Sequence, residues 1–305
     1  MARSGQGEGL KESAALCILA RDCGEALPSF LKSVETLRSS VAGSRVFIVE
    51  NNSRDSTKEV LKDYADSTPG VVLDSFDDPE YDSLERIERM TLLRNRCLDL
   101  VYRDGFRADL LIVADGDIEF DASSVIGAVR SAPEGWAALF ANGRYFLRIG
   151  RLRIPALYYD LFACLPDGGG TESLTEEEML FMRASVQRKI RRQEYVSCRS
   201  AFGGMGVYRF EPALRLRYGL EKSTAGDRFV YLSEHIPFHR MLRKSGELYI
   251  CRGMKVLYEP LPLRVFFFEA ARDLRVQKAY VVLIRCAASI KKLVLGKDSD
   301  CPGKR

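Results

Sequence analysis

The stretch LLIVADGD, residues 110–117, decides the fold class of this chain. Its first five residues are continuously apolar, which is typical of a β-strand covered on both faces of a parallel sheet. We predict a strand over 110–115, and two carboxylates, Asp115 and Asp117, stand at its end with Gly116 between them. Because the glycine ends the apolar run sharply, we expect both carboxylates at the carboxyl end of a buried strand.

Similar apolar runs precede this strand and alternate with segments of helical periodicity. The pattern predicts strands over 14–20, 45–50 and 71–76 and helices over 26–38, 56–64 and 83–103. Such alternation is typical of βαβ units, whose right-handed crossovers place the carboxyl ends of the strands along one edge. We therefore predict a Rossmann-like α/β fold, with a mostly parallel central sheet, helices on both faces, and ligands at that edge.

Beyond residue 121 the pattern is looser. It predicts strand material over 136–149, a helix over 175–192 that ends in a basic cluster, a glycine-broken strand over 202–210, and a helix followed by a strand within 231–260. We assign a flexible tail to 1–12, a catalytic domain to 13–265, with a nucleotide-binding half (13–121) and an acceptor half (122–265), and a C-terminal segment to 266–305.

The composition is that of an ordinary soluble protein, with 46% apolar and 29% charged residues. The net charge of +4 is too small to indicate a nucleic-acid partner, and we expect none. The eight cysteines are scattered without a CxxC pair, which favours reduced thiols over a disulfide framework. The chain shows neither a signal-peptide pattern nor an apolar run of about 18 residues, so we expect a cytoplasmic protein without a transmembrane span.

Residues 272–295 have the pattern of a basic amphipathic helix, with an apolar stripe opposite arginine and lysine side chains. Two interpretations remain open. The helix packs on the catalytic domain, or it lies on an anionic membrane surface and makes the protein peripheral.

The pair Asp115 and Asp117 suits a divalent cation. Mg²⁺ and Mn²⁺ prefer oxygen ligands, and they commonly combine one or two carboxylates with phosphate oxygens and water. The alternative is a solvated turn, because two acids one residue apart also occur by chance.

The segment ENNSRDST, residues 50–57, follows the second predicted strand. Its amides, hydroxyls and carboxylates offer hydrogen bonds next to a helix N-terminus. Glu50 interrupts an apolar strand at its ligand-facing end, which favours binding by Glu50, Asn51 and Asn52. The alternative is an ordinary turn with helix-capping residues.

The segment SEHIPFH, residues 233–239, holds both histidines of the chain. His235 and His239 are four residues apart and share one face if the segment is helical. With Glu234 they form either a base or metal-ligand cluster, or a pair of packed histidines at a helix entry. The HExxH zinc motif is not met, because the glutamate precedes the first histidine.

Other polar positions carry weaker signals. Arg94, in the helix predicted over 83–103, has a guanidinium group that is suited to binding phosphate. Arg21 directly follows the first predicted strand. Tyr159 and Asp160 have the ring and the carboxylate to stack on and hydrogen-bond a sugar. Glycines 203 and 204 allow close approach of a substrate to the backbone. For each of these positions a purely structural role is the alternative.

Together these motifs resemble proteins with the glycosyltransferase A-type fold. The order of the acid-rich turn at 50–57, the Arg-Asn helix, the Asp115/Asp117 motif and a late acidic position is similar to the family 2 layout. The segments LLRNRCLD (92–99), YYD (158–160), SAFGGMGVYR (200–209) and EHIPFH (234–239) resemble more closely the family 69 capsule-associated mannosyltransferase-like proteins. The resemblance covers roughly residues 14–260.

The resemblance implies a metal-dependent hexosyltransferase. It would move a sugar, mannose being the family's example, from a UDP- or GDP-linked donor to a glycan or other hydroxyl acceptor, with Mn²⁺ or Mg²⁺ as cofactor. An inactive nucleotide-sugar- or glycan-binding protein on the same fold is the alternative.

The resemblance also implies roles for the residues. Donor binding falls to Arg21, Glu50, Asn51, Asn52, Arg94 and Asp115, the metal to Asp115, Asp117 and His239, and acceptor binding to Tyr159, Asp160, Gly203 and Gly204. Glu234 aligns with the acidic pair that supplies the base in inverting members. Because His235 replaces the second acid of that pair, the base is either Glu234 or His235, and the stereochemical outcome stays open.

Overall fold

Strands alternate with helices through the first half of the structure, as the sequence predicts. The computed structural model describes residues 9–149, 152–167, 176–225 and 228–260. Up to residue 130 the elements are β1 (Ala14–Ala20), α1 (Leu27–Arg38), β2 (Ser44–Asn51), α2 (Thr57–Ser67), β3 (Val71–Phe76), α3 (Pro79–Ser83), α4 (Arg86–Asp104), β4 (Leu110–Asp115), β5 (Glu119–Phe120) and α5 (Ala122–Arg130).

The second half is richer in strands. Its elements are β6 (Trp136–Ile149), β7 (Leu152–Tyr158), β8 (Leu165–Pro166), α6 (Glu176–Arg192), β9 (Tyr195–Ser200), β10 (Met205–Arg209), α7 (Phe210–Leu214), β11 (Lys222–Ala225), β12 (Arg228–Tyr231), α8 (His235–Leu242) and β13 (Glu247–Pro260). β13 is the last element in the described part of the chain. The predicted helix 272–295 lies outside the described residues.

In the described part of the chain, eleven strands form one sheet and β11 and β12 form a separate pair. The main order is β3-β2-β1-β4-β10-β6-β13-β9-β8. The first four strands are parallel, as predicted. β10 joins antiparallel to β4, so that Met205 pairs with Ala114 and the start of β10 meets the carboxyl end of β4. The predicted α/β fold is confirmed, and its second half extends the parallel strands with antiparallel ones.

Both faces of the sheet are covered, which explains the continuous apolar runs. Along β1, Cys17 and Leu19 belong to the apolar core that α4 covers, whereas Leu16 and Ile18 belong to the core that α1 and α5 cover. Every residue of β1 is buried. Such a strand cannot alternate between apolar and polar side chains, because neither face meets water.

Polar side chains fix the ends of the helices. Glu85 and Glu88 form a capping box at the start of α4, and Gly105 ends that helix in the left-handed conformation. Asp121 caps α5 through the backbone N–H of Ser123. The sequence pattern did not predict α5, because a nine-residue helix contains too few turns for a clear periodicity.

Among the described residues, six cysteines are buried free thiols: Cys17, Cys23, Cys97, Cys164, Cys198 and Cys251. Among residues 9–149, 152–167, 176–225 and 228–260, no helix combines the length and apolar content that crossing a bilayer requires.

A two-glycine turn links β9 to β10 at the carboxyl edge of the parallel strands. Gly203 and Gly204 both have positive φ, +67° and +85°. A Cβ atom on Gly203 would lie 2.2 Å from the carbonyl oxygen of Ala141. This turn therefore requires glycine for its backbone conformation and for its close approach to β6.

We expect Gly203→Ala to lower the free energy of unfolding by more than about 2 kcal/mol. The alanine would be strained by the positive φ, and its Cβ atom would overlap the backbone of Ala141. Gly127→Ala, in the exposed interior of α5 where an added Cβ meets nothing within 4 Å, should raise it by roughly 1 kcal/mol. Urea unfolding measures both. Equal effects of the two substitutions would show that the turn tolerates a side chain.

Candidate active site

Most of the predicted site residues gather at the carboxyl edge of the parallel strands. Ala20 pairs with Glu50 and Leu19 pairs with Asp115, so β1, β2 and β4 end at one level. Gly204 reaches the same edge, where its carbonyl accepts a hydrogen bond from the backbone N–H of Asp115 at 3.0 Å. The register thus brings the three predicted polar segments after these strands to one place.

Glu50 points into the protein. Its side chain is fully buried, and its carboxylate accepts hydrogen bonds from the backbone N–H of Ser53, at 2.8 Å, and from the hydroxyl of Ser75. These contacts stabilise the turn after β2 and its junction with β3. Glu50 therefore supports the predicted donor site indirectly, by holding the turn that carries the other polar residues.

Asn52 and Asn51 have different roles. Asn52 adopts a left-handed conformation, with φ +55°, and exchanges two hydrogen bonds with the backbone of Asp78, at 2.7 and 2.8 Å. Asn51 donates through its side-chain nitrogen to Asn52 at 3.1 Å, but its buried Oδ1 has no hydrogen-bond partner. Asn51 thus has one hydrogen-bond acceptor, its Oδ1 atom, that no described residue uses.

Arg21, which follows β1, also keeps an unused polar group. Its Nη2 donates to Asp82 at 2.6 Å, whereas its Nη1 is buried and has no partner. The side chain is 29% exposed. Arg21 thus has one guanidinium nitrogen without a hydrogen-bond partner, while Nη2 keeps the ion pair with Asp82.

Arg94 occupies the centre of the site. It is 3% exposed, and it binds two acids at once: its Nε lies 2.8 Å from Glu234 Oε1 and its Nη2 lies 3.0 Å from Asp115 Oδ1. Its guanidinium also lies over the ring of Phe202, 4.6 Å from the centroid. Burial alone would lower the pKa of Arg94, but the charges of Asp115 and Glu234 outweigh it and raise that pKa. Arg94 is therefore a permanent internal cation.

Asp115 and Asp117 differ in exposure. Asp115 retains 23% side-chain exposure beside Arg94, and burial raises its pKa while Arg94 offsets part of the rise. Asp117 is exposed. Burial first, and then the charge of Asp117, raise the pKa of Cys23. Burial also raises the pKa of Tyr159, and the charge of Asp117 adds to that rise. Asp117 thus lies at the edge, within electrostatic reach of the loop after β1 and of the end of β7.

The donor set fits one kind of metal site. No cluster of three or more His, Cys, Asp or Glu side chains suited to a metal occurs among the described residues. The protein therefore offers no complete cage there, but an exposed Asp117 with a partly exposed Asp115 two residues before it. This arrangement fits Mg²⁺ or Mn²⁺ that takes its remaining ligands from phosphate and water.

Asp160 holds the glycine turn. Its Oδ2 accepts from the backbone N–H of Gly203 at 2.6 Å and its Oδ1 from that of Ala163 at 3.3 Å. Burial raises the pKa of Asp160 to about 6 against the effect of these hydrogen bonds, and the negative charges of Asp115 and Glu234 add to the rise.

Aromatic rings stand next to Asp160. Tyr159 stacks on Tyr258, with ring centroids 4.4 Å apart and an interplanar angle of 10°, and meets Tyr145 edge-on. All three side chains are half-buried. The sequence motifs predicted Tyr159 but missed Tyr258, which lies a hundred residues later at the end of β13.

The two histidines do not form a metal site. His239 is fully buried, and its ring nitrogens lie 2.9 Å from the hydroxyl of Ser200 and 3.1 Å from that of Tyr208. In contrast to its prediction as a metal ligand, His239 is a core residue in this structure, because it is fully buried and both of its ring nitrogens are hydrogen-bonded.

His235 is also buried, and it stacks on Phe202 with centroids 4.1 Å apart. Burial, and then the charge of Arg94, lower the pKa of His235 well below its usual range. Its Nε2 lies 3.5 Å from Glu234 Oε1, and neither ring nitrogen has a hydrogen-bond partner. His235 is therefore neutral and packed behind the exposed edge.

We expect Arg94→Met to lower the free energy of unfolding by about 3 kcal/mol or more, because it leaves Glu234 buried without its counter-ion. Arg103→Met, an exposed position on the same helix, should change it by less than about 0.5 kcal/mol. Chemical denaturation measures both. A loss of similar size in the two variants would contradict a structural role for the Arg94 ion pairs.

The family model described as cryptococcal mannosyltransferase 1 matches residues 14–241. A comparison with curated protein sequences gave no match.

Solved structures also align with the chain. The mannosyltransferase PcManGT from Pyrobaculum calidifontis, in complex with GDP-Man and Mn²⁺, is 12% identical over 86% of this chain and 65% of that one, with a TM-score of 0.48. GalNAc-T7 with UDP, GalNAc and Mn²⁺ is 14% identical over 86% and 48%, with a TM-score of 0.47. TarS 1–349 from S. aureus is 12% identical over 85% and 62%, with a TM-score of 0.44. The chain thus spans about half to two thirds of these proteins.

The family match covers most of the chain and includes β1 to β4, both Asp115 and Asp117, the glycine turn and nearly all of α8. It confirms the resemblance predicted from the motifs. The chain belongs to the family described as cryptococcal mannosyltransferase 1.

Proposed function

We propose that this protein is a glycosyltransferase that transfers mannose from a nucleoside-diphosphate donor to a hydroxyl group of a glycan or similar acceptor, with Mn²⁺ or Mg²⁺ at Asp117. The observation that carries the proposal is the meeting of exposed Asp117, partly exposed Asp115 and the unused polar atoms of Arg21 and Asn51 at one sheet edge. The family description supports mannose as the sugar.

The donor binds between the turns that follow β1 and β2. The unpartnered Nη1 of Arg21 carries positive charge and suits a phosphate oxygen. The unpartnered Oδ1 of Asn51 accepts a hydrogen bond from a base or ribose group. Glu50 and Asn52 keep these turns in place through their backbone contacts.

Asp117 and the exposed part of Asp115 hold the divalent cation. A cation bound there supplies positive charge that offsets the negative charge of the leaving diphosphate. Arg94 fixes the carboxylate of Asp115 by a 3.0 Å ion pair. The ion pair therefore restricts the Asp115 side chain to one orientation, in which its exposed part is available at the sheet edge.

Asp160 is the residue we assign as proton acceptor, in place of Glu234 or His235. The side chain of Glu234 is 5% exposed and is paired with Arg94, and His235 is 2% exposed. Asp160 is only partly buried, and its pKa of about 6 places it close to the range that suits a general base near neutral pH. Glu234 then acts as a positioning residue, because it holds Arg94 and through Arg94 the metal-side Asp115.

The aromatic side chains next to Asp160 complete the acceptor side. Tyr159, Tyr145 and Tyr258 present ring surfaces on which a sugar can pack. Gly203 and Gly204 leave room for a substrate against the backbone of the turn, since neither carries a side chain.

Asp117→Asn should abolish sugar transfer and also the Mn²⁺-dependent part of nucleotide binding, because the amide is a weaker ligand for a hard cation. Thermal shifts with GDP and UDP, with and without Mn²⁺, measure binding, and donor consumption with a mannoside acceptor measures transfer. Asp66→Asn, on the exposed face of α2, is the matched control and should leave both unchanged. Full activity of the Asp117 variant would exclude the metal role, and donor binding by the native chain without any transfer would favour the inactive binding protein.

The value of kcat/KM should fall about tenfold per pH unit below pH 6, because only ionised Asp160 accepts a proton and its pKa is raised to about 6. Asp160→Asn should give low activity that lacks this acidic limb of the pH profile, the fall of kcat/KM below pH 6. Glu234→Gln should lower stability and activity but keep a limb near pH 6. Loss of the limb in the Glu234 variant, with the limb retained in the Asp160 variant, would return the base to Glu234.

A further inference from the structure

One face of α6 is basic at the C-terminal end of the helix. Ser185, Arg188, Lys189 and Arg192 follow one another at helical spacings of three, one and three residues, so they share a face. Together with Gln193 they line a cavity of about 390 Å³. None of these residues takes part in the site at the carboxyl edge described above.

Within the described residues, the three cationic side chains of this cavity have no acidic partner. In the parts of the chain that the structure describes, no carboxylate forms an ion pair with Arg188, Lys189 or Arg192. Arginines elsewhere on the surface commonly do have such partners, as Arg217 has Asp99 and Arg240 has Glu221. The cavity therefore concentrates positive charge that the described carboxylates do not neutralise.

Neighbouring cations strengthen this field. Arg191 lies on the same helical turn, and after burial its charge is the cause that lowers the pKa of Arg144. The C-terminal end of a helix contributes only about half a negative charge, which falls well short of three or four cations. An unpaired group of cations around a concave space is a suitable environment for an anion.

The end of α6 is held in place by the rest of the fold. Val186 and Ile190, on the opposite face, are buried in the core. The backbone N–H of Gln193 donates to the carbonyl of Lys189 at 2.9 Å, and the next residue, Glu194, accepts a 2.8 Å hydrogen bond from the backbone N–H of Arg252 in β13. The basic side chains thus project from a fixed helix end and not from a loose tail.

We propose that this cavity binds a phosphate-bearing ligand. Two guanidinium groups can each form paired hydrogen bonds with phosphate oxygens, and the lysine adds a point charge. Ser185 and Gln193 supply neutral donors beside them. The volume lies at the small end of the range for ligand pockets and suits a diphosphate or a phosphate headgroup.

The test is binding of inorganic pyrophosphate to the full chain by titration calorimetry in the presence of EDTA, which prevents metal-dependent binding at the carboxyl edge. Arg188→Gln/Lys189→Gln/Arg192→Gln should weaken binding at least about tenfold. Arg103→Gln/Arg107→Gln/Arg215→Gln removes the same charge from exposed positions elsewhere and should stay within about twofold of the native chain. Thermal unfolding of both triple variants verifies that each is folded.

A second arm identifies the source of the phosphate. Flotation compares phosphatidylcholine vesicles with vesicles that contain about one fifth phosphatidic acid. Cavity-dependent binding to the acidic vesicles supports a lipid headgroup, whereas cavity-dependent binding of pyrophosphate alone supports a soluble phosphate ligand. Absence of both kinds of binding, or equal losses in the two triple variants, would overturn the proposal. Neither arm of the experiment measures sugar transfer. Failure of the phosphate-binding proposal is therefore distinguishable from failure of the proposed catalytic function.

Discussion

The buried guanidinium of Arg94 is the interaction on which the site depends. It joins α4 to the end of β4 through Asp115 and to the start of α8 through Glu234. Removing these charges from water is costly, and their attraction offsets the cost only when geometry and hydrogen bonding are good. The arrangement therefore fixes three elements relative to one another, because any displacement leaves a buried charge unpaired.

This ion-pair network divides the acids of the site into two groups. Glu50 and Glu234 are buried and satisfied by internal partners, and they determine where the turns and the guanidinium lie. Asp115, Asp117 and Asp160 retain contact with the edge of the sheet, and they are the carboxylates that a metal or a substrate can reach. Exposure and hydrogen-bond partners thus separate the two groups, since all five side chains carry the same functional group, a carboxylate.

The glycine turn connects the two halves of the molecule. Gly203 approaches the backbone of β6 so closely that only a hydrogen atom fits in place of a side chain, and its N–H binds Asp160. Gly204 binds the backbone of Asp115. The metal-side acid and the proposed base are therefore linked through one short backbone segment, which explains why its two glycines lie at the site although they carry no functional group.

The sequence by itself determined the parallel half of the fold and the polar ends of its strands. β1, β3 and β4 have the predicted bounds, because a strand buried on both faces must be continuously apolar. The position of Asp115 and Asp117 followed from the same run, since a strand ends where polar residues begin. Short or alternating elements such as α5 and β9 gave too weak a periodicity to be predicted.

Only the tertiary structure decided what each site residue does. Arg94 was predicted to bind phosphate, yet it pairs with Glu234, which is 140 residues away in the chain. His239 has the spacing of a metal ligand, but Ser200 and Tyr208 occupy its two nitrogens in the core. A local pattern records which groups are present. Burial and partners depend on segments that meet only after folding, and these decide whether a carboxylate or an imidazole is structural or free to act.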